Sequence, residues 1–148
     1  MAFIFLQTAI GKLQSNVISG NKKSLLTIIH SCRYKGDYLN GIKEGEGVFW
    51  WTSGPHAGDK YIGFFQEDRR HGHGHYIYSG GEIFAGEWEA GHQHGSGRIM
   101  YPNGNLLEGT WKNGKRDGTF YFTFQNGEKF KGRFANNVRV GSWTKVEP

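Results

Sequence analysis

The sequence predicts an all-β chain: one elongated, twisted, single-layer antiparallel sheet of consecutive β-hairpins. Three observations lead to that class. Glycine supplies 24 of the 148 residues and aromatic side chains 16%, a mixture of many turns and aromatic strands that disordered glycine-rich tracts lack. A glycine–aromatic pattern returns at a nearly constant interval. Within it, aromatic residues alternate so that almost all of them share one side of their strands.

The first 33 residues stand outside that pattern as an N-terminal extension. Phe3, Leu6, Ile10, Leu13 and Val17 are spaced like the apolar stripe of a helix, although Gly11 weakens such a helix by roughly 1 kcal/mol relative to alanine. Leu25 to Ile29 reads as a strand, a degraded half-repeat beside the first full unit. No basic residue precedes the apolar run and no small-residue cleavage site follows it, so the segment does not read as a secretory signal. Its lone arginine fits a mitochondrial presequence poorly.

Residues 34–148 form the repeat domain, with units starting at 34, 61, 84, 107 and 130. Glycine recurs at the third position of every unit, as Gly36, Gly63, Gly86, Gly109 and Gly132, and again at 45, 72, 95, 118 and 141. The fifth position is always aromatic: Tyr38, Phe65, Trp88, Trp111 and Phe134. The first unit is longer by an insertion around Pro55-His56.

Each unit reads as a strand, a glycine-rich loop, a second strand and a tight turn. In the third unit that turn is Pro102-Asn103-Gly104, where proline presets φ and glycine takes the left-handed conformation that closes a three-residue loop. Such a loop places Ile99 opposite Leu107 and Gly97 opposite Gly109, and likewise Tyr76 opposite Phe84 and Phe122 opposite Phe130. Of the 21 aromatic residues between 34 and 148, 18 then fall on one face, and only Trp50, Phe64 and Tyr121 on the other. Phe120 opposite Gly132 is expected to be a ring lying over a glycine. A bare aromatic face of this size exceeds what soluble monomers expose. Either it closes on itself by curvature or something covers it.

"FAGEWEAGHQHGSGRIMYPNG" and "LEGTWKNGKRDG" carry the pattern most plainly, and they resemble the MORN repeat (membrane occupation and recognition nexus). The resemblance covers about five repeats over 34–143. Asp68 and Asn137 depart from it in place of the loop glycine, and Phe120 and Trp143 in place of the glycine after the loop. It implies a non-enzymatic scaffold for protein–protein interaction in a cytoskeletal, ciliary or membrane-apposed assembly, in the manner of an axonemal component.

Charge and composition narrow the alternatives. Residues 1–33 hold four basic residues and no acid, whereas 34–148 share 14 basic residues with all 13 acids. The repeat domain therefore lacks the unbalanced basic surplus of a nucleic-acid surface. A single Cys32 favours a reducing, cytoplasmic setting, and no apolar stretch approaches the ~18–20 residues that span a bilayer.

The histidine run "HGHGH" at 71–75 invites a metal reading. Only His73 and His75 share a face, short of the three or four ligands zinc takes, so no metal or cofactor is expected. Glu44, Glu46, Glu87 and Glu89 show no pairing in a pocket that would separate two carboxyl pKa values, and no nucleophile elbow or phosphate loop is present.

Two surfaces remain. The aromatic face, through Tyr38, Trp51, Phe65, Tyr76, Tyr78, Trp88, Tyr101, Trp111, Phe122 and Phe124, is the candidate for docking a protein partner or a second copy. Lys43, Arg69, Arg70, Lys115, Arg116 and Arg139 are expected to line one hairpin-loop edge at intervals of about 10 Å. Together with the basic extension, that edge suits an alternative role as a peripheral membrane or phosphoinositide-binding module.

Overall fold

A computed structural model describes residues 13–19, 22–29 and 31–147. They form one antiparallel sheet whose strands run in chain order: β1 (Leu13–Ser19), β2 (Lys22–Ile29), β3 (Cys32–Leu39), β4 (Ile42–Trp51), β5 (Lys60–Gln66), β6 (Arg69–Ile77) and β7 (Ile83–Glu89). The order continues through β8 (His92–Met100), β9 (Leu106–Lys112), β10 (Lys115–Arg116), β11 (Gly118–Thr123), β12 (Lys129–Ala135) and β13 (Val138–Lys145). The short β10 pairs only with β9, and β11 carries the sheet onward to β12. There is no second layer among the described residues.

The expected N-terminal helix is corrected where it can be compared. Leu13 and Val17 lie in strand β1, while Phe3, Leu6 and Ile10 fall outside the described residues. The reason is pairing. In β2, Leu25 faces Gly36 and Thr27 faces Tyr34, the register that Gly47–Gly63 and Phe49–Tyr61 adopt between β4 and β5. The segment thus occupies the place of a repeat's second strand, and β1 pairs along its whole length with it. A ready-made strand edge outweighs a helical stripe already weakened by glycine.

Two backbone devices explain the recurring small residues. Every hairpin tip from β3 onward has two residues with positive φ: Asn40-Gly41, Glu67-Asp68, Ala90-Gly91, Asn113-Gly114 and Asn136-Asn137. This is the type I′ turn, whose twist matches the flanking strands. Asp68 and Asn137 keep that geometry because Asp and Asn tolerate the left-handed region better than other non-glycine residues. The second glycine series follows each tip, with φ of 90°, 59°, 63°, 109° and 77° at 45, 72, 95, 118 and 141. The register slips nearby in four of the hairpins, so these glycines accommodate a bulge that bends the strand.

The return turns behave as expected. Tyr101 N donates to Asn105 O and Gly104 N to Tyr101 O, and the same pair of bonds closes the turns at Tyr78–Glu82 and Phe124–Glu128. Ile99 faces Leu107 and Gly97 faces Gly109; Tyr76 faces Phe84; Phe122 faces Phe130.

The core lies wholly on the aromatic face. Tyr61, Phe84 and Phe120 are fully buried, which in a single layer requires the face to curl over its own rings. Glycine makes room for this. The Phe84 ring spans Gly86 and Gly97, and a Cβ added at Gly97 would sit 2.7 Å from the ring. Tyr34 and Tyr61 cover their glycine pairs in the same way, each hydroxyl donating to a backbone carbonyl at 3.1 Å, that of Asp37 or Phe64.

One expectation about this packing is revised. Phe120 does stand opposite Gly132, but its ring lies over Gly109, while Trp143 covers Gly132. In the fourth unit the first-strand ring is replaced by Leu107, and the ring comes instead from the second strand. Ring and gap have exchanged strands.

The result is an unbroken file of edge-to-face contacts. It runs Tyr34–Phe65–Tyr61–Trp88–Phe84–Trp111–Phe120–Phe134, with centroid separations of 4.8–5.4 Å. Such pairs contribute about 0.5–1.5 kcal/mol each beyond area burial.

Candidate functional site

The ten aromatic residues singled out in the sequence divide into two sets. Phe65, Tyr76, Trp88 and Trp111 are buried and hold the face together from within. Tyr38, Trp51, Tyr78, Tyr101 and Phe122 are only partly covered, and Phe124 is 41% exposed. These six, with Phe49 and Trp143, make the surface that another molecule can touch. The repeat glycines 36, 63, 86, 109 and 132 lie beneath rings on the same face.

The six basic residues also divide. Lys43, Arg70 and Arg116 face the position-five rings across their hairpins, paired with Tyr38, Phe65 and Trp111. All three turn over the aromatic face. Arg70 places its guanidinium 4.3 Å from the Trp88 centroid and 5.4–5.9 Å from Tyr76, Trp51 and Tyr61, and donates to the Gly91 carbonyl at 2.6 Å. Lys43 stands over Tyr34 and Phe49 and pairs with Asp68 at 2.8 Å. Arg116 caps Phe134 at 4.5 Å. Arg69 pairs with Glu67, and Lys115 and Arg139 are exposed. The ladder foreseen along the loop edge is therefore split between the edge and the ring face.

The tips themselves are linked unit to unit. The amides of Asp68, Gly91, Gly114 and Asn137 donate to the carbonyls of Lys43, Arg70, Gln93 and Arg116 in the preceding hairpin. Asp68 and Asn137 add a side-chain acceptor for the amides of Lys43 and Arg116, at 2.9 and 2.8 Å. The two departures from loop glycine thus strengthen the same junction.

Electrostatics on the ring face follow from burial. Desolvation raises the pKa of Tyr34, Tyr61, Tyr76, Tyr78 and Tyr101 above that of free tyrosine, so these phenols remain neutral. Desolvation lowers that of Arg70, while Tyr76, Tyr61 and Tyr78 oppose the shift. The inserted loop of the first unit is anchored by buried Asp59, which accepts bonds from Tyr76 Oη (2.5 Å) and Ser79 N (2.8 Å) and pairs with His56 Nδ1 (3.1 Å). Desolvation works to raise the Asp59 pKa, but these partners outweigh it and the net shift is downward.

A cavity of about 490 Å³ opens on this face near the C-terminal end, lined by Tyr101, Leu107, Arg116, Phe122, Phe124, Phe130, Phe134 and Trp143. Among the described residues no group of three or more His, Cys, Asp or Glu is placed to hold a metal ion. His73 and His75 are exposed on the opposite face, beside Val48, Ile62 and Phe64.

Sequence reasoning missed Asp59, Gln93 and Trp143 as parts of this surface, and missed the inward turn of three cations. The signal for the cations was present. The alternation that puts Tyr76, Gly74 and Gly72 on the ring side also puts Arg70 there.

A one-layer sheet of repeated hairpins, ringed on one face and joined tip to tip, defines a hairpin-repeat protein. The family is specific: the MORN repeat model matches residues 34–55, 61–83, 84–106 and 108–129, and the chain belongs to that family. The unit starting at 130 follows the matched segments with the same tip and bulge geometry. No curated protein sequence matches the chain. Among solved structures, the SAS-4 (dCPAP) TCP domain of Drosophila melanogaster, in complex with a proline-rich motif of Ana2 (dSTIL), is similar at 11% identity. The match covers 100% of this chain and 99% of that one, with a TM-score of 0.41, a likeness too distant to bear on function.

Proposed function

We propose that this chain is a non-enzymatic scaffold whose aromatic face docks a protein partner within a larger cytoplasmic assembly, cytoskeletal or ciliary and axonemal in kind. One observation carries the reading. After the face has closed over its own core, a strip of partly exposed rings remains, Tyr38, Trp51, Tyr78, Tyr101 and Phe122, with Arg70 and Arg116 set among them. Neither guanidinium belongs to any of the ion pairs of the described residues. Amphipathic rings beside a cation are the composition most often found at interface hot spots. Family membership supports a scaffold, and no catalytic family is indicated.

Hydroxyl-radical footprinting of the isolated chain and of the chain in its native assembly tests this. Tyr38, Trp51 and Tyr78 should lose reactivity in the assembly. Unchanged reactivity at all three would refute docking on this face. Cross-links from the same sample separate a foreign partner from a second copy. The membrane alternative rests on Arg69, Lys115 and Arg139 with the basic extension. It predicts salt-sensitive flotation with anionic vesicles, at about 1 kcal/mol per basic residue.

A further inference from the structure

The cavity opens where the ring pattern of the units changes. At the second-strand position where other units carry Phe49, Tyr76 and Phe122, the third unit has Ile99. At the first-strand position held elsewhere by Tyr34, Tyr61, Phe84 and Phe130, the fourth unit has Leu107. These two aliphatic residues face each other directly across β8 and β9. Of the two, Leu107 forms a wall of the cavity; Tyr101, Phe122, Phe124, Phe130 and Trp143 form others, and at about 490 Å³ it lies within the range of ligand-binding pockets, ~300–1,000 Å³.

Its single charged wall is Arg116. That side chain is held by Asn137, whose Oδ1 accepts from both its backbone N and Nε at 2.8 and 3.3 Å, and its guanidinium stands over Phe134, 4.5 Å from the ring centroid. It forms no ion pair among the described residues. A fixed, uncompensated guanidinium beside an apolar hole selects for a carboxylate next to a bulky apolar group.

We propose that this cavity receives an acidic peptide segment of a protein partner: a Phe-, Trp- or Leu-sized side chain enters it, and a carboxylate within two residues meets Arg116. The proposal rests on the docking role given above to the ring face. A peptide is favoured over a lipid because the face curls inward and the ring strip continues past the cavity through Tyr101, Tyr78 and Trp51. An extended chain can follow that strip, whereas a bilayer plane cannot enter it. The chain's own first twelve residues contain no acid, so they do not meet the charge requirement.

The test uses the full chain labelled with ¹⁵N, reading the indole N–H signals of its five tryptophans. The probes are a blocked decapeptide with two Phe and four Glu, its Lys-for-Glu and Ala-for-Phe counterparts, and phosphatidylserine vesicles. The acidic Phe peptide should shift the Trp143 signal, and the two counterparts should not. Leu107→Phe, which enlarges a wall of the cavity, should weaken binding by about tenfold or more, as should Arg116→Gln. Unchanged Trp51 and Trp88 signals establish that each variant is folded. If Leu107→Phe does not fold, Arg116→Gln decides alone.

No shift at millimolar peptide, equal binding of the Lys peptide, or full binding by the folded variants overturns the proposal. Vesicle binding that Arg116→Gln abolishes, without peptide binding, assigns the cavity to lipid and also overturns it. Footprinting protection at Tyr38, Trp51 and Tyr78 would still stand in those cases, so failure of this site is distinguishable from failure of the docking face.

Discussion

Replacing Arg70 by methionine keeps most of the side chain's volume and removes its charge, which isolates what the guanidinium contributes. A largely desolvated cation over tryptophan is worth about 2 kcal/mol, and the Trp88 ring at 4.3 Å is in position to supply it. The charged hydrogen bond to Gly91 O adds about 1.5 kcal/mol. Against both stands the desolvation of the guanidinium, which methionine escapes. Arg70 is only partly buried, so the penalty falls below the several kcal/mol of a fully buried ion; roughly 1.5 kcal/mol leaves an expected net loss of about 2 kcal/mol for Arg70→Met. Urea denaturation followed by tryptophan fluorescence measures it, since Trp51 and Trp88 both adjoin the charge. Arg70→Gln is the internal comparison, because Gln93 holds the equivalent place in the next unit and bonds to Tyr78 Oη. A loss below about 0.5 kcal/mol for Arg70→Met would show that the rings do not use the cation.

Other substitutions separate the remaining terms. Gly97→Ala drives a Cβ to 2.7 Å from Phe84 and 3.2 Å from Trp111, so thermal denaturation should report a loss of about 1–3 kcal/mol. Gly141→Ala meets no atom within 4 Å but has φ of 77°, and its cost should be backbone strain alone, about 1–2 kcal/mol. Trp111→Ala empties a core position that is 4% exposed; calorimetry should show about 3–5 kcal/mol lost, making it a probe of stability before it is one of binding. The Asp59 pKa lies below its unfolded value, so its contribution is complete above the unfolded pKa, about 4, and fades as pH falls through the folded one. The Asp59→Asn variant should lose that part of the acid dependence of stability, whereas an unaltered acid limb would show that the loop anchor does not titrate.

Most of the sheet could be read from the chain because its rules are local. A glycine required at a left-handed tip or bulge returns wherever the tip returns, and a three-residue turn sets which residues face each other, so Ile99–Leu107 and Phe122–Phe130 followed from counting. Leu13 and Val17 were misread because they sit in a helical spacing, while the factor that decides their conformation is the edge offered by β2, which no window of sequence contains. The exchange of ring and gap around Leu107 and Phe120 was equally hidden. Alternation gives the face of a ring, but the direction it leans depends on the twist and on which neighbour has a glycine. The cavity was hidden too, because its walls come from three units and meet only when Tyr101, Leu107, Phe122 and Trp143 are brought together in space.

The sheet has one layer, and strands in substantial contact are always neighbours within it. Tension applied across its two edges would therefore load the hairpins in series, each bearing the whole force with no parallel path around it. The β9–β11 junction, with three paired positions against six between β8 and β9, would be the first to yield. Leu107 and Phe122 pair across that junction and both line the cavity, so a molecule bound there would reinforce the weakest link, and its release under load would report the tension on the sheet.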